Sequence, residues 1–128
     1  MSTPNRTCEA FQSFRADLNE RILDRGTTTT KRFFTLDTKA YEPGAIDTKQ
    51  KELLGLVASM VLRCDDCIAY HIDQCITAGA SDEELSETFD IALVVGGSIV
   101  IPHLRRAVAF VDECRAHAQS TDGGAGHG

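Results

Sequence analysis

Apolar residues fall at three- and four-residue intervals through most of this chain, the spacing that lines one face of an α-helix rather than the alternation of a strand. Phe11, Phe14, Leu18, Ile22 and Leu23 set this rhythm between Cys8 and Arg25, and Gly26 stops it. The run from Thr27 to Thr30 suits a connector. Phe33, Phe34, Leu36 and Tyr41 follow ahead of the Pro43-Gly44 break, so 31–40 reads as a short helix or as an irregular segment pinned to the core. Asp47 with Gln50 three residues on has the form of a helix cap, and Leu53, Leu54, Leu56, Val57, Met60 and Val61 give the next helix a broad apolar face to about Leu62. A further helix starts near Cys64 or Asp65 and carries Ile68, Ile72, Cys75 and Ile76 to a stop at Ala78-Gly79-Ala80. Ser81 and Glu84 form a capping box for another, through Leu85, Phe89, Ile91 and Leu93.

The stretch 94–101 is β-branched enough to suggest a strand. Its continuity with the preceding pattern, and the Gly96-Gly97 pair that would let a second helix approach its backbone, favour helix interior instead. Pro102 marks a kink or restart, and Leu104, Ala107, Val108 and Val111 line a last helix to about His117. The result is an all-α domain of five or six helices over 1–118, without a solenoid repeat, and a mobile tail over 119–128 that can bury nothing. The apolar, glycine-bearing helix exceeds what one small domain needs to bury, so a homo-oligomer is expected.

Length and composition agree with this picture: 128 residues fit one domain, and the composition is that of an ordinary globular protein. A net charge of -6 without a basic stripe excludes a nucleic-acid partner. The longest apolar stretch, 91–102, is too short to cross a bilayer, and the polar N-terminus lacks the apolar core of a secretory signal. No membrane association and a cytoplasmic location are therefore expected. Five cysteines, an odd number in a chain without an export signal, argue against a structural disulfide framework. Cys8, Cys75 and Cys114 stand alone and read as small buried hydrophobes.

Cys64-Asp65-Asp66-Cys67-Ile68-Ala69-Tyr70-His71 carries the chemistry. Positions i, i+3 and i+7 share one side of a helix, so two thiols and an imidazole can meet there. A structural zinc site needs four ligands and finds no second pair at finger spacing, and c-type haem attachment needs histidine where Ile68 stands. No metal or cofactor is expected. Two inert core thiols remain an alternative, set against the polar neighbours Arg63, Asp65 and Asp66. A dithiol cycling to a disulfide meets its requirements: thiolates favoured by a helix N-terminus, a spacing within disulfide reach, and His71 to move protons. Glu52, on the preceding helix among Leu53, Leu54 and Leu56, is the candidate to orient that imidazole, or else a solvated charge beside Lys51. His103, after Pro102, reads equally as a pocket residue or a core histidine.

Glu52, then eleven residues, Cys64-x-x-Cys67, three residues and His71, followed by Gly79 to Leu85 and the Gly96-Gly97 helix, resembles the alkylhydroperoxidase D-like branch of the carboxymuconolactone decarboxylase superfamily. The resemblance covers roughly Pro43 to Ala109. It implies an all-α fold assembled as homotrimers or homohexamers, with Cys67 attacking a hydroperoxide, Cys64 resolving the sulfenic acid, and Glu52 and His71 relaying protons. It also implies an external dithiol reductant, a lipoyl group or a thioredoxin-like protein. One departure stands out: better-studied members carry histidine just before the second cysteine, where this chain has Asp66, whose charge opposes a thiolate at Cys67. Two other functions compete with a thiol peroxidase: a decarboxylase- or isomerase-like enzyme on a small cyclic acid, with His71 and Glu52 moving protons, and a redox-sensing or scaffold oligomer without turnover.

Overall fold

Six α-helices and one turn of 3-10 helix make up the secondary structure of residues 6–125, which are those the computed structural model describes. Helix α1, Cys8–Arg25, starts where the Thr7 side chain accepts a hydrogen bond from the Ala10 N–H and ends at Gly26. Helix α2, Thr28–Ala40, begins earlier than its apolar anchors suggest. Thr27 and Thr30 form a reciprocal capping box, so the threonines read as a connector are the cap and first turn of the helix. Polar hydroxyl side chains that disfavour a helix interior are the ones that satisfy its orphaned N–H groups.

Helices α3, Thr48–Leu62, and α4, Asp65–Thr77, start at the Asp47 and Cys64 caps. Helix α5, Asp82–Gly96, opens on the Ser81–Glu84 capping box, both arms of which are made. The apolar run beyond it does not stay one helix. Gly97 sits at φ +85°, a region open to glycine, and Ser98–Val100 forms the 3-10 turn before α6, Ile101–Ala125, takes Pro102 into its first turn. Gly96 allows the close approach expected of the glycine pair, because a Cβ there would lie 2.5 Å from Val100 Cγ2 and 3.5 Å from Val61 Cγ2. Helix α6 continues past the end expected near His117 into the segment read as a tail, and residues 126–128 lie outside the described residues, as do residues 1–5.

Helices α3, α4, α5 and α6 form the body: α3 packs on α4 and α5, and α4 on α6. Leu56, Met60, Ile72, Leu85 and Val100 are fully buried at their junction, each burial contributing roughly 1.5–3 kcal/mol. Helix α1 joins chiefly through α6, where Phe11 meets Phe110 edge-on with ring centroids 5.3 Å apart. Helix α2 buries no side chain, and Phe33 and Leu36 stay exposed. No helix among the described residues is long and apolar enough to cross a membrane.

Candidate active site

A tight turn between α3 and α4 sets the cysteine pair. Arg63 adopts left-handed backbone at φ 60°, its N–H reaches Met60 O, and the next N–H, of Cys64, reaches Ser59 O at 3.1 Å. This is a Schellman closure, which turns the chain sharply enough for Cys64 to cap α4 at once. Cys64 Sγ accepts from the Cys67 N–H at 3.3 Å, and the two cysteines are joined as a disulfide with Cα atoms 5.3 Å apart. The first turn of α4 therefore presents the pair as the spacing predicts, with Cys64 half-buried and Cys67 exposed.

Glu52 and His71 meet beneath it. Glu52 Oε1 and His71 Nδ1 are 2.8 Å apart, and both residues are buried, at 3% and 9% exposure. The carboxylate accepts from Nδ1–H, which leaves Nε2 as the free ring nitrogen. Glu52 is thus the buried carboxylate and not the solvated one. The ring is held on other sides too: Tyr41 and Tyr70 lie against it at centroid distances of 5.6 and 5.2 Å. Gly55, one turn after Glu52, passes so close that a Cβ there would fall 2.6 Å from His71 Cε1. Burial, then the Glu52 charge, pushes both tyrosine hydroxyls up from their ordinary value of 10.0, so both stay protonated at neutral pH.

Cys67 and His71 open onto one cleft of about 260 Å3, lined also by Arg15, Asp37, Asp66 and Tyr70. The Arg15 guanidinium stacks over the Tyr70 ring at 4.1 Å. The two acids between the cysteines are both paired. Arg6 reaches Asp66 at 2.7 Å, while Asp65 is held by His103 Nδ1 at 2.8 Å and Arg106 Nε at 3.0 Å. His103 is not among the residues lining the cleft; it fixes Asp65 at the start of α4.

Sequence reasoning brought Glu52, Cys64, Cys67 and His71 to one place and missed Arg6, Arg15, Tyr41, Gly55, Tyr70 and Arg106. Two of these had local signals: Tyr70 lies one turn after Cys67, and Gly55 is a helix-interior glycine one turn from Glu52. The arginines had none, being brought in by α1, the residues just ahead of it, and α6.

Similar proteins share this arrangement of helices. A crystal structure of TM1620 from Thermotoga maritima superposes with a TM-score of 0.83 at 63% identity, covering 86% of this chain and 96% of that one. A second structure of TM1620, TM-score 0.82 at 61% identity over 88% and 95% of the two chains, is described as a carboxymuconolactone decarboxylase family protein with a possible involvement in antioxidative response. A family member from Legionella pneumophila shares the fold, with a TM-score of 0.69 at 23% identity over 89% of this chain and 99% of its own. Uncharacterized protein 4 in cox locus of Paracoccus denitrificans is 26% identical over 88 residues, 69% of this chain and 79% of its own. The model of the carboxymuconolactone decarboxylase family matches residues 28–110. The chain belongs to that family, and its paired cysteines agree with the alkylhydroperoxidase D-like branch.

Proposed function

We propose that this chain is a thiol-dependent peroxidase, in which Cys67 reduces a hydroperoxide, Cys64 closes the disulfide, and the Glu52–His71 pair moves the protons. The observation that carries this reading is the juxtaposition, on one cleft, of an exposed Cys67 and a buried histidine, the Nδ1 of which is taken by a buried carboxylate. His71 Nε2 takes the Cys67 thiol proton, with Glu52 fixing the ring and offsetting the imidazolium charge. The thiolate attacks the peroxide oxygen, the O–O bond breaks, and the proton returns to the departing alkoxide. Cys67 is left as a sulfenic acid. The Cys64 thiol then displaces hydroxide, which leaves as water, and the S–S bond forms. An external dithiol, lipoyl or thioredoxin-like, exchanges with the exposed Cys67 sulfur and restores both thiols.

The charge of Asp66, which opposes a thiolate, is offset in this site by Arg6, and Arg15 adds a cation within the cleft itself. The antioxidative involvement suggested for the Thermotoga maritima relative is in keeping with this chemistry. We also propose that the chain acts as a homo-oligomer. Helix α2 buries nothing, and Leu62, Val94 and Val95 are 76%, 82% and 64% exposed, more apolar surface than a lone domain ordinarily leaves open.

The test is consumption of an organic hydroperoxide with dihydrolipoamide as reductant. Turnover should vanish in Cys67→Ser, and Cys64→Ser should give one dimedone-reactive sulfenic acid at Cys67. Labelling at Cys64 in the reciprocal variant would reverse the two roles, and unchanged turnover in Cys67→Ser would end the peroxidase reading.

A further inference from the structure

Two of the cysteines that stand alone in sequence meet in space. Cys8, the first residue of α1, and Cys114, on α6, are 106 positions apart, yet their sulfurs are 3.0 Å apart and each residue is 2% exposed. Asp73 of α4 completes a buried cluster: its Oδ1 lies 3.6 Å from Cys8 Sγ, and Gln12 Nε2 donates to both carboxylate oxygens at 3.0 Å. A covalent S–S bond is about 2.05 Å, so closing this pair takes a movement of about 1 Å. Closure also leaves a neutral product, the form that a buried site tolerates best.

We propose that Cys8 and Cys114 are a second redox-active pair, which hydroperoxide closes to a disulfide that fastens the start of α1 to α6. With the start of α1 open, the Cys8 thiol gives up its proton to solvent and attacks the peroxide oxygen; the O–O bond breaks and the alkoxide leaves as alcohol, taking a proton back from solvent. The Cys8 sulfenic acid is then attacked by Cys114, the S–S bond forms, and hydroxide leaves with the Cys114 proton as water. Two thiols and one hydroperoxide thus become one disulfide, one alcohol and one water. Burial raises both thiols from the ordinary 9.0, and the Asp73 charge adds to it; both side chains are also shut off from solvent, so the pair reacts only when the start of α1 opens. It closes more slowly than the exposed Cys64–Cys67 pair. The consequence reaches the cleft, because α1 carries Arg15 to the cleft of Cys67, and Arg6, just ahead of the helix, pairs with Asp66.

The test uses the full chain carrying Cys64→Ser and Cys67→Ser, so that its outcome is independent of the peroxidase reading, with the wild-type chain in parallel. After hydrogen peroxide, alkylation in denaturant and unreduced peptide mapping, both proteins should yield a Cys8–Cys114 cross-linked peptide that dithiothreitol removes, with Cys75 still alkylated. Its formation in the wild type should be roughly tenfold or more slower than that of the Cys64–Cys67 bond, and the cross-linked protein should melt at a higher temperature. Recovery of Cys8 and Cys114 as free thiols or sulfinic acids in both proteins would overturn the proposal. So would one equivalent of zinc retained by the native protein and lost on Cys8→Ser, which would make the cluster a metal site.

Discussion

His71 is the residue on which the proposed chemistry turns, and four neighbours fix its ring. Glu52 takes Nδ1–H, Tyr41 lies tilted and Tyr70 edge-on against the ring, and the bare backbone of Gly55 leaves no room for a side chain beside it. Replacing the carboxylate by an amide keeps the shape and removes the charge, so Glu52→Gln should lower kcat/KM for hydroperoxide by roughly 100-fold. His71→Asn should cost about the same, and the double variant little more, since the two act as a unit. Gly55→Ala separates position from stability. Alanine is the better helix former by about 1 kcal/mol, yet its methyl must displace the ring, so turnover should fall roughly tenfold or more. Hydroperoxide consumption and far-UV circular dichroism on the same preparations decide this; full activity in Gly55→Ala would mean that the ring position is immaterial.

At the scale of an element, the α3–α4 turn is where local strain serves the site. Arg63 occupies left-handed backbone that costs a non-glycine residue about 1 kcal/mol or more, and its side chain is exposed. Arg63→Gly should therefore raise stability by about 0.5–1 kcal/mol in urea unfolding without moving Cys64, once the greater freedom of glycine in the unfolded chain is set against the relieved strain. The opposite result belongs to the α5 cap. Ser81→Ala removes the acceptor for the Glu84 N–H and should cost about 1 kcal/mol, read as a lower urea midpoint at unchanged slope. The Ser81 cap was legible in sequence, because it is satisfied by a residue three positions on; the left-handed Arg63 was not, since no glycine or asparagine marks the position. The early start of α2 was missed for a related reason: a run of threonines is poor helix interior but good helix beginning.

For the whole molecule, the buried thiols make stability depend on alkaline pH. Burial pushes Cys75 from 9.0 up to about 12, with the Glu52 and Glu84 charges adding to it, and Cys8 and Cys114 are raised as well. A group raised in the folded state contributes stability that is fully present below its unfolded value and lost above it. Melting temperature should hold up to about pH 9 and fall as pH rises from 9.0 toward 12, less steeply in Cys75→Ala. The proposed assembly is read at the same scale: Val94→Asp should shift the molecular mass in light scattering toward that of one chain, and an unchanged mass would place the interface elsewhere. What the sequence determined by itself is what short-range chemistry controls. Helical spacing, caps, and the i, i+3, i+7 placement of Cys64, Cys67 and His71 all act within a turn or two of one helix, so they can be read without knowing the fold. Glu52 was half legible: its pattern left a choice between a solvated charge and an acid beside His71, and the packing of α3 on α4 chose. The arginines that neutralise Asp65 and Asp66, the arrival of Arg15 at the cleft, and the meeting of Cys8 with Cys114 were decided by tertiary structure alone. Each joins elements distant along the chain, and no periodicity specifies which faces of two helices will meet until the burial of apolar surface has packed them.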